Sequence, residues 1–400
     1  MTTSAERIRA WKGPAILSYG YRPFFLLSAI WAAVAMVAWL FMLTGQAALP
    51  VTMDAVSWHA NALLFGYSWA VIAGFLMTAV PNWTGRFPIV GWPLAALVGL
   101  WLIGRAVLSV SAWLPGWIVV GADLAFPLAL MAAIAREVIA GRNWRNLKVL
   151  GVLMVLGAAN AGYHAEAATG YAASGLSART ALGALVILIT LIGGRIIPSF
   201  TRNWLAGRKS PVLPAPPDRI DNGIMALTIL AVIGWMLWPG APLTGIACLA
   251  AALANLARLA RWRGLRCHAE PLVWVLHAAF GFIPLGFAAV GLAALGIGPE
   301  SAAKHVWMAG AVGLTTLAVM SRASLGHSGL PLTAGGGTSA IYLAVIGAVV
   351  ARALAGWWPA LPGVLHLSAT LWIAGMAGFA ALYAPILLRP RAAPKRARKA

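Results

Sequence analysis

The sequence predicts an all-α integral membrane protein with about 12 transmembrane helices. Three observations carry that prediction: the apolarity of the chain, the alternation of its basic connections, and a repeat among its second, sixth and tenth apolar runs. Of 400 residues, 61% are hydrophobic and only 10% are charged, and mean hydropathy is +0.84. Soluble domains carry about 25% charged residues. The excess of apolar residues therefore needs lipid as its solvent.

The spans are expected at roughly 23–45, 57–80, 91–111, 116–136, 147–168, 176–197, 220–238, 241–260, 270–295, 304–325, 338–356 and 361–388, each near the ~20 residues that cross a bilayer. All lie in one polytopic domain over 1–400. Residues 1–22 form a basic, aromatic lead-in, and 389–400 form a basic tail. No small-residue cleavage site follows the lead-in, so the first span reads as retained.

Charge placement orients the chain. With the N-terminus in the cytoplasm, most of the 29 lysines and arginines fall on cytoplasmic connections. Only Arg179, Lys304 and Arg352 fall outside, and Arg105 lies within the membrane. This is the positive-inside pattern, and it places both termini in the cytoplasm. The net charge of +20 is thus topogenic and does not point to nucleic acid.

The repeat appears when the second, sixth and tenth spans are aligned on Gly66, Gly183 and Gly310. Twelve residues on stand Thr78, Arg195 and Arg322; fifteen on, Pro81, Pro198 and Leu325; eighteen on, Thr84, Thr201 and Ser328. Three four-helix units around a pseudo-threefold axis follow. Heme-copper oxidases share that plan as an analogy of fold. The second span reads as an apolar helix with His59 at one mouth and a break at Pro81, Asn82, Trp83 and Thr84.

Ionisable groups inside spans are costly and are functional candidates. Topology puts His59, His164, His305 and His366 near the outer face, and His268, His277 and His327 toward the inner face. Imidazole is a common axial ligand for haem iron and also suits copper. His59 and His305 occupy related positions on related spans, so they are candidates to hold one haem from two sides. His164 stands one turn after Asn160, which could orient its ring. His277 and His327 are further metal-ligand candidates. Arg105 and Asp123 are expected at similar depth on neighbouring spans, as an ion pair or with Arg105 on a haem propionate. Arg195 and Arg322 either snorkel to the inner interface or bind an anion or propionate. Cys267-His268 in a basic loop is a weak metal signal. There is no C-x-x-C-H, Walker A, H-E-x-x-H or dinucleotide fingerprint, and no catalytic acid–base residue is defined.

Tyr21–Ala32, WHANALLFG with GFLMTAVPNWTGR, Gly194–Asn203, Glu270–His277 and His305–Gly329 together resemble the NnrS family in order and spacing. The resemblance implies a bacterial inner-membrane protein that contains haem and copper and serves the response to nitric oxide and nitrosative stress, often beside denitrification. Its ligands would be nitric oxide or iron-nitrosyl species, with lipid around it. The matching positions are His59, Asn160 with His164, Arg195, His277, His305, Arg322 and His327. The family's second span commonly reads W-H-x-H-E, whereas this chain has Trp58-His59-Ala60-Asn61-Ala62. The missing histidine and glutamate put copper in question. Two other readings stay open: a transporter, which predicts binding at mid-membrane, and a haem-binding sensor or assembly partner without turnover.

Overall fold

The computed structural model describes residues 11–86 and 88–391. The parts of the expected lead-in and tail at 1–10 and 392–400 lie outside the described residues. Twelve helices among the described residues are long and apolar enough to cross a membrane. They are α1 Tyr21–Leu43, α2 Ala55–Thr84, α3 Trp92–Ser109, α4 Gly116–Ala140, α5 Trp144–Thr169, α6 Leu176–Gly207, α7 Arg219–Leu237, α8 Pro242–Ala260, α9 Pro271–Ala294, α10 Glu300–His327, α11 Gly336–Trp357 and α12 Pro362–Leu388.

Helix packing repeats every four helices. α1 packs on α2, α5 on α6 and α9 on α10; α3 packs on α4, α7 on α8 and α11 on α12. The units join through α4–α5, α8–α9 and α12–α1, which closes a ring. At its centre α2, α6 and α10 touch one another. Burial follows this plan: 83% of the central window of α2 is buried, against 33% for α1, α3, α4 and α5. The peripheral helices turn residues such as Leu102, Leu128, Met154 and Leu230 outward, as lipid contact requires.

The expected break at Pro81 is not there. α2 continues through Pro81 to Thr84 and stops at Gly85, whose φ of 68° is the left-handed conformation that favours glycine. Proline removes one backbone bond, and nearby side chains take up carbonyls in this stretch. Thr78 Oγ1 donates to the Gly74 carbonyl, Asn82 Nδ2 to Thr78 and Thr84 Oγ1 to Val80. α6 likewise runs through Pro198. Where α6 ends, residues 210–217 form the irregular connection that the proline-rich sequence predicts.

Two central helices change pitch. α2 is π-helical over Ala62–Tyr67 and α10 over Val306–Leu314, whereas α6 is α-helical throughout. A π turn shifts the i→i−4 pattern and leaves carbonyls to be satisfied from outside. Trp31 Nε1 on α1 donates to the Ala62 carbonyl, and Trp101 Nε1 on α3 donates to Gly66, each at 2.9 Å. Ser68 Oγ donates to the Leu63 carbonyl. Across the axis, the Tyr67 hydroxyl and Thr316 Oγ1 are 2.6 Å apart, which ties α2 to α10.

Candidate functional site

The two π segments begin just after the two expected histidines. His59 lies in the first turns of α2, where Asp54 caps the helix by accepting from the amides of Val56 and Ser57. His305 immediately precedes the π segment of α10. Both line one cavity of about 320 Å³. Its apolar walls include Met36, Leu63, Met308, Val312 and Trp372, and Tyr171–Ser174 contributes Tyr171, Ala173 and Ser174 at the rim. Lys304 and Arg352 also line it.

The two imidazoles are held differently. His305 Nδ1 lies 2.7 Å from the Ser301 carbonyl, so that nitrogen carries the proton and Nε2 keeps a free lone pair. Arg352 Nη2 donates to Ser301 Oγ at 2.7 Å and steadies the same turn. His59 stacks on Trp39, with ring centroids 4.4 Å apart. Its Nδ1 is buried and makes no hydrogen bond among the described residues, and the same holds for Trp39 Nε1. The two histidines are near enough to act on each other electrostatically.

His164 and Arg105 are elsewhere. Asp123 on α4 accepts from Arg105 through Oδ1 in a buried ion pair. Its Oδ2 stands 2.8 Å from both Asn160 Nδ2 and His164 Nε2. Asn160 does not bond His164 directly; the two share Asp123, and the Asn160 side-chain oxygen accepts from Trp69 Nε1 at 3.1 Å. This network fastens α3, α4 and α5 to α2. It also explains Gly66: a Cβ there would lie 2.5 Å from Arg105 Nη1 and 2.8 Å from Trp31 Nε1.

At the opposite ends of the central helices, the repeat positions Thr78, Arg195 and Arg322 line a second cavity of about 450 Å³. His327 also faces it, and its ring packs against Tyr19 and Tyr21. His277 does not; it sits 2.7 Å from Thr201 Oγ1, between α6 and α9. His268 and His366 are exposed. Among the described residues, no three of His, Cys, Asp and Glu stand close enough to hold a metal ion together. Cys267 is buried beside Leu205 and Val273, and that burial raises its thiol pKa.

Twelve helices in three cyclically packed units, with His59 and His305 in one cavity, is the geometry to set beside known proteins. The sequence model of the NnrS protein family matches residues 15–391. The chain belongs to the NnrS family. Membership makes it a protein related to the nitric oxide response. No curated protein matches the chain.

Sequence reasoning missed several residues of the cavity that His59 and His305 line in this NnrS-family protein. Trp39, Met308, Arg352 and Trp372 come from α1, α10, α11 and α12. Ring closure between α12 and α1 brings the outer three together with α10, and no local motif encodes that closure. Arg352 alone carried a signal, as one of few basic residues assigned to the outer face.

Proposed function

We propose that this chain is a single membrane domain that binds haem between His59 and His305 and binds nitric oxide there. It would sit in the bacterial inner membrane with both termini in the cytoplasm. The observation that carries the reading is one apolar cavity lined by two imidazoles from repeat-related helices. The donor set fits haem: His305 presents a lone pair fixed by its backbone contact, and the buried Nδ1 of His59 has no protein partner. Haem iron so held would supply the nitric oxide binding centre.

The residues then divide the work. His305, anchored through Ser301, is the firmer ligand. His59, placed by its contact with Trp39, would hold the group from the other side and is the less firmly fixed of the two. Arg352 would offer a cationic donor to the carboxylates of the group, whereas Lys304 is paired with Glu300 at 3.0 Å. Apolar walls keep water from the site. The same imidazoles suit copper, but Asn61 and Ala62 stand where the family commonly has histidine and glutamate, so haem is the cofactor favoured here. His164 and Arg105 brace α2 from outside the cavity through Asp123.

The transporter reading draws no support from the middle of the axis. The void there is about 80 Å³ and is lined mainly by aliphatic side chains such as Val71, Ile72, Leu185 and Ile189.

The test is the visible spectrum of reduced, detergent-purified protein with and without nitric oxide. A Soret band that shifts on adding nitric oxide, with faster binding in His59→Ala, is expected. A colourless protein from haem-replete cells would end this reading.

A further inference from the structure

The cavity at the basic ends of α2, α6 and α10 holds two arginines that the protein itself barely uses. Arg195 Nη1 reaches only Asn146 Oδ1, at 3.5 Å. Arg322 lies with its guanidinium 4.2 Å from the centre of the Phe200 ring and makes no hydrogen bond to another described residue. The stacking covers one face of the group and leaves its N–H edge free. Three other arginines in contact with the helix bundle are fully engaged. Arg22 donates to the carbonyls of Ile386, Leu387 and Arg389, Arg258 pairs with Asp221, and Arg179 donates to the carbonyls of Met236 and Ser174.

No carboxylate lines this cavity. Glu270 acts on Arg322 through space, but its Oε1 already accepts the amides of Leu272 and Ala334. Lys148 and Arg145 add positive potential near Arg195. Two guanidiniums that line one cavity, with no carboxylate among its described lining residues, suit an oxyanion, which arginine binds through paired N–H donors.

The walls say more about the occupant. Phe25, Phe75, Phe200, Trp83 and Val319 surround the charges. A volume of about 450 Å³ exceeds what a bare oxyanion fills. Mostly apolar walls with a few placed polar groups are the mark of a site for an organic ligand. The aliphatic void beyond closes the axis to ions, so an anion entering here stays at this end.

We infer that this cavity binds an amphipathic anion, with its phosphate or carboxylate head on Arg195 and Arg322 and its apolar body among the aromatic rings. Two sources supply that chemistry: an anionic phospholipid of the adjoining leaflet, or a soluble long-chain carboxylate. The inference does not rest on haem in the other cavity.

The experiment is native mass spectrometry of delipidated protein titrated with dioleoylphosphatidylglycerol, oleate and oleyl alcohol. One tightly bound phosphatidylglycerol or oleate per chain is expected, with the neutral alcohol binding far more weakly. Preference for the lipid over oleate identifies the leaflet as the source; the reverse identifies a soluble carboxylate. Arg195→Gln with Arg322→Gln should weaken binding about tenfold or more, and Arg208→Gln on the surface should not. Ala79→Leu keeps both arginines but fills part of the cavity, and should also weaken binding. Should the double variant fail to fold, Ala79→Leu and the two single variants decide. Equal binding of alcohol and oleate, or unchanged binding in the arginine variants, would overturn the inference.

Discussion

The two ends of α2 and α10 differ in what surrounds their charges. At the His59 end the cavity measures about 320 Å³ and presents two imidazoles, with Arg352 and the Lys304–Glu300 pair also in its lining. At the opposite end it measures about 450 Å³ and presents two guanidiniums. The first end has π segments, indoles bound to freed carbonyls, and the Asp123 network behind α2. The second has plain α-helix that runs through Pro81. The contrast teaches that one repeat can place different side chains at its two ends. A metal ligand needs a fixed direction, which the braced end would supply. An anion site needs charge and room, which the other end would supply.

The comparison breaks most sharply if the bracing is removed. Asp123→Ala leaves Arg105 buried without its partner, and loss of one member of a buried ion pair costs about 3–5 kcal/mol. The expected outcome is a large fall in thermal stability together with loss of the ligand of the His59 cavity, read by differential scanning fluorimetry and absorbance. A protein as stable as wild type would show that the network does not hold α2.

A finer probe is Gly66→Ala. The added Cβ presses on Arg105 and Trp31, and overpacking of this kind costs roughly 1–3 kcal/mol. The change should disturb the spectrum of a group held by His59 while leaving oleate binding at the far end unchanged. Equal disturbance at both ends would mean that the two cavities do not act separately.

The smallest effect belongs to the connection before α7. Arg261 hydrogen-bonds Asp218 at the N-cap of α7, and this lowers the Asp218 carboxyl pKa. A lowered folded-state pKa gives stability that is present above the ordinary carboxylate pKa and is lost as pH falls through the lowered value. Asp218→Asn should therefore be slightly less stable at neutral pH and equal to wild type in acid, with both cavities unaffected. A difference that grew in acid would contradict the assignment. The group is exposed, so solvent and salt screen the pair.

Much of this arrangement was legible in the sequence. Hydropathy and loop charge marked all twelve spans, because lipid and the positive-inside bias act on composition directly. The glycine-aligned repeat placed Thr78, Arg195 and Arg322 at equal depth, and they line one cavity. His59 and His305 were paired from their positions on related spans, and they too share a cavity. Other features depend on contacts between distant helices. α2 continues past Pro81 although its local sequence looks like a stop. The π segment of Ala62–Tyr67 takes donors from Trp31 and Trp101 on neighbouring helices, and that of Val306–Leu314 takes Thr316 Oγ1 from its own helix. His164 was expected to be oriented by Asn160 one turn before it, but both bond Asp123, 41 residues from His164 in sequence.

The most direct test is haem content per chain across four proteins from the same haem-replete cells: wild type, His305→Ala, His59→Ala and His277→Ala. Near-stoichiometric haem with a six-coordinate spectrum is expected in wild type and in His277→Ala. Loss of most haem is expected in His305→Ala, and a weakly held five-coordinate haem in His59→Ala. Haem retained unchanged in both His59→Ala and His305→Ala, or lost only in His277→Ala, would contradict the assignment of the His59 cavity.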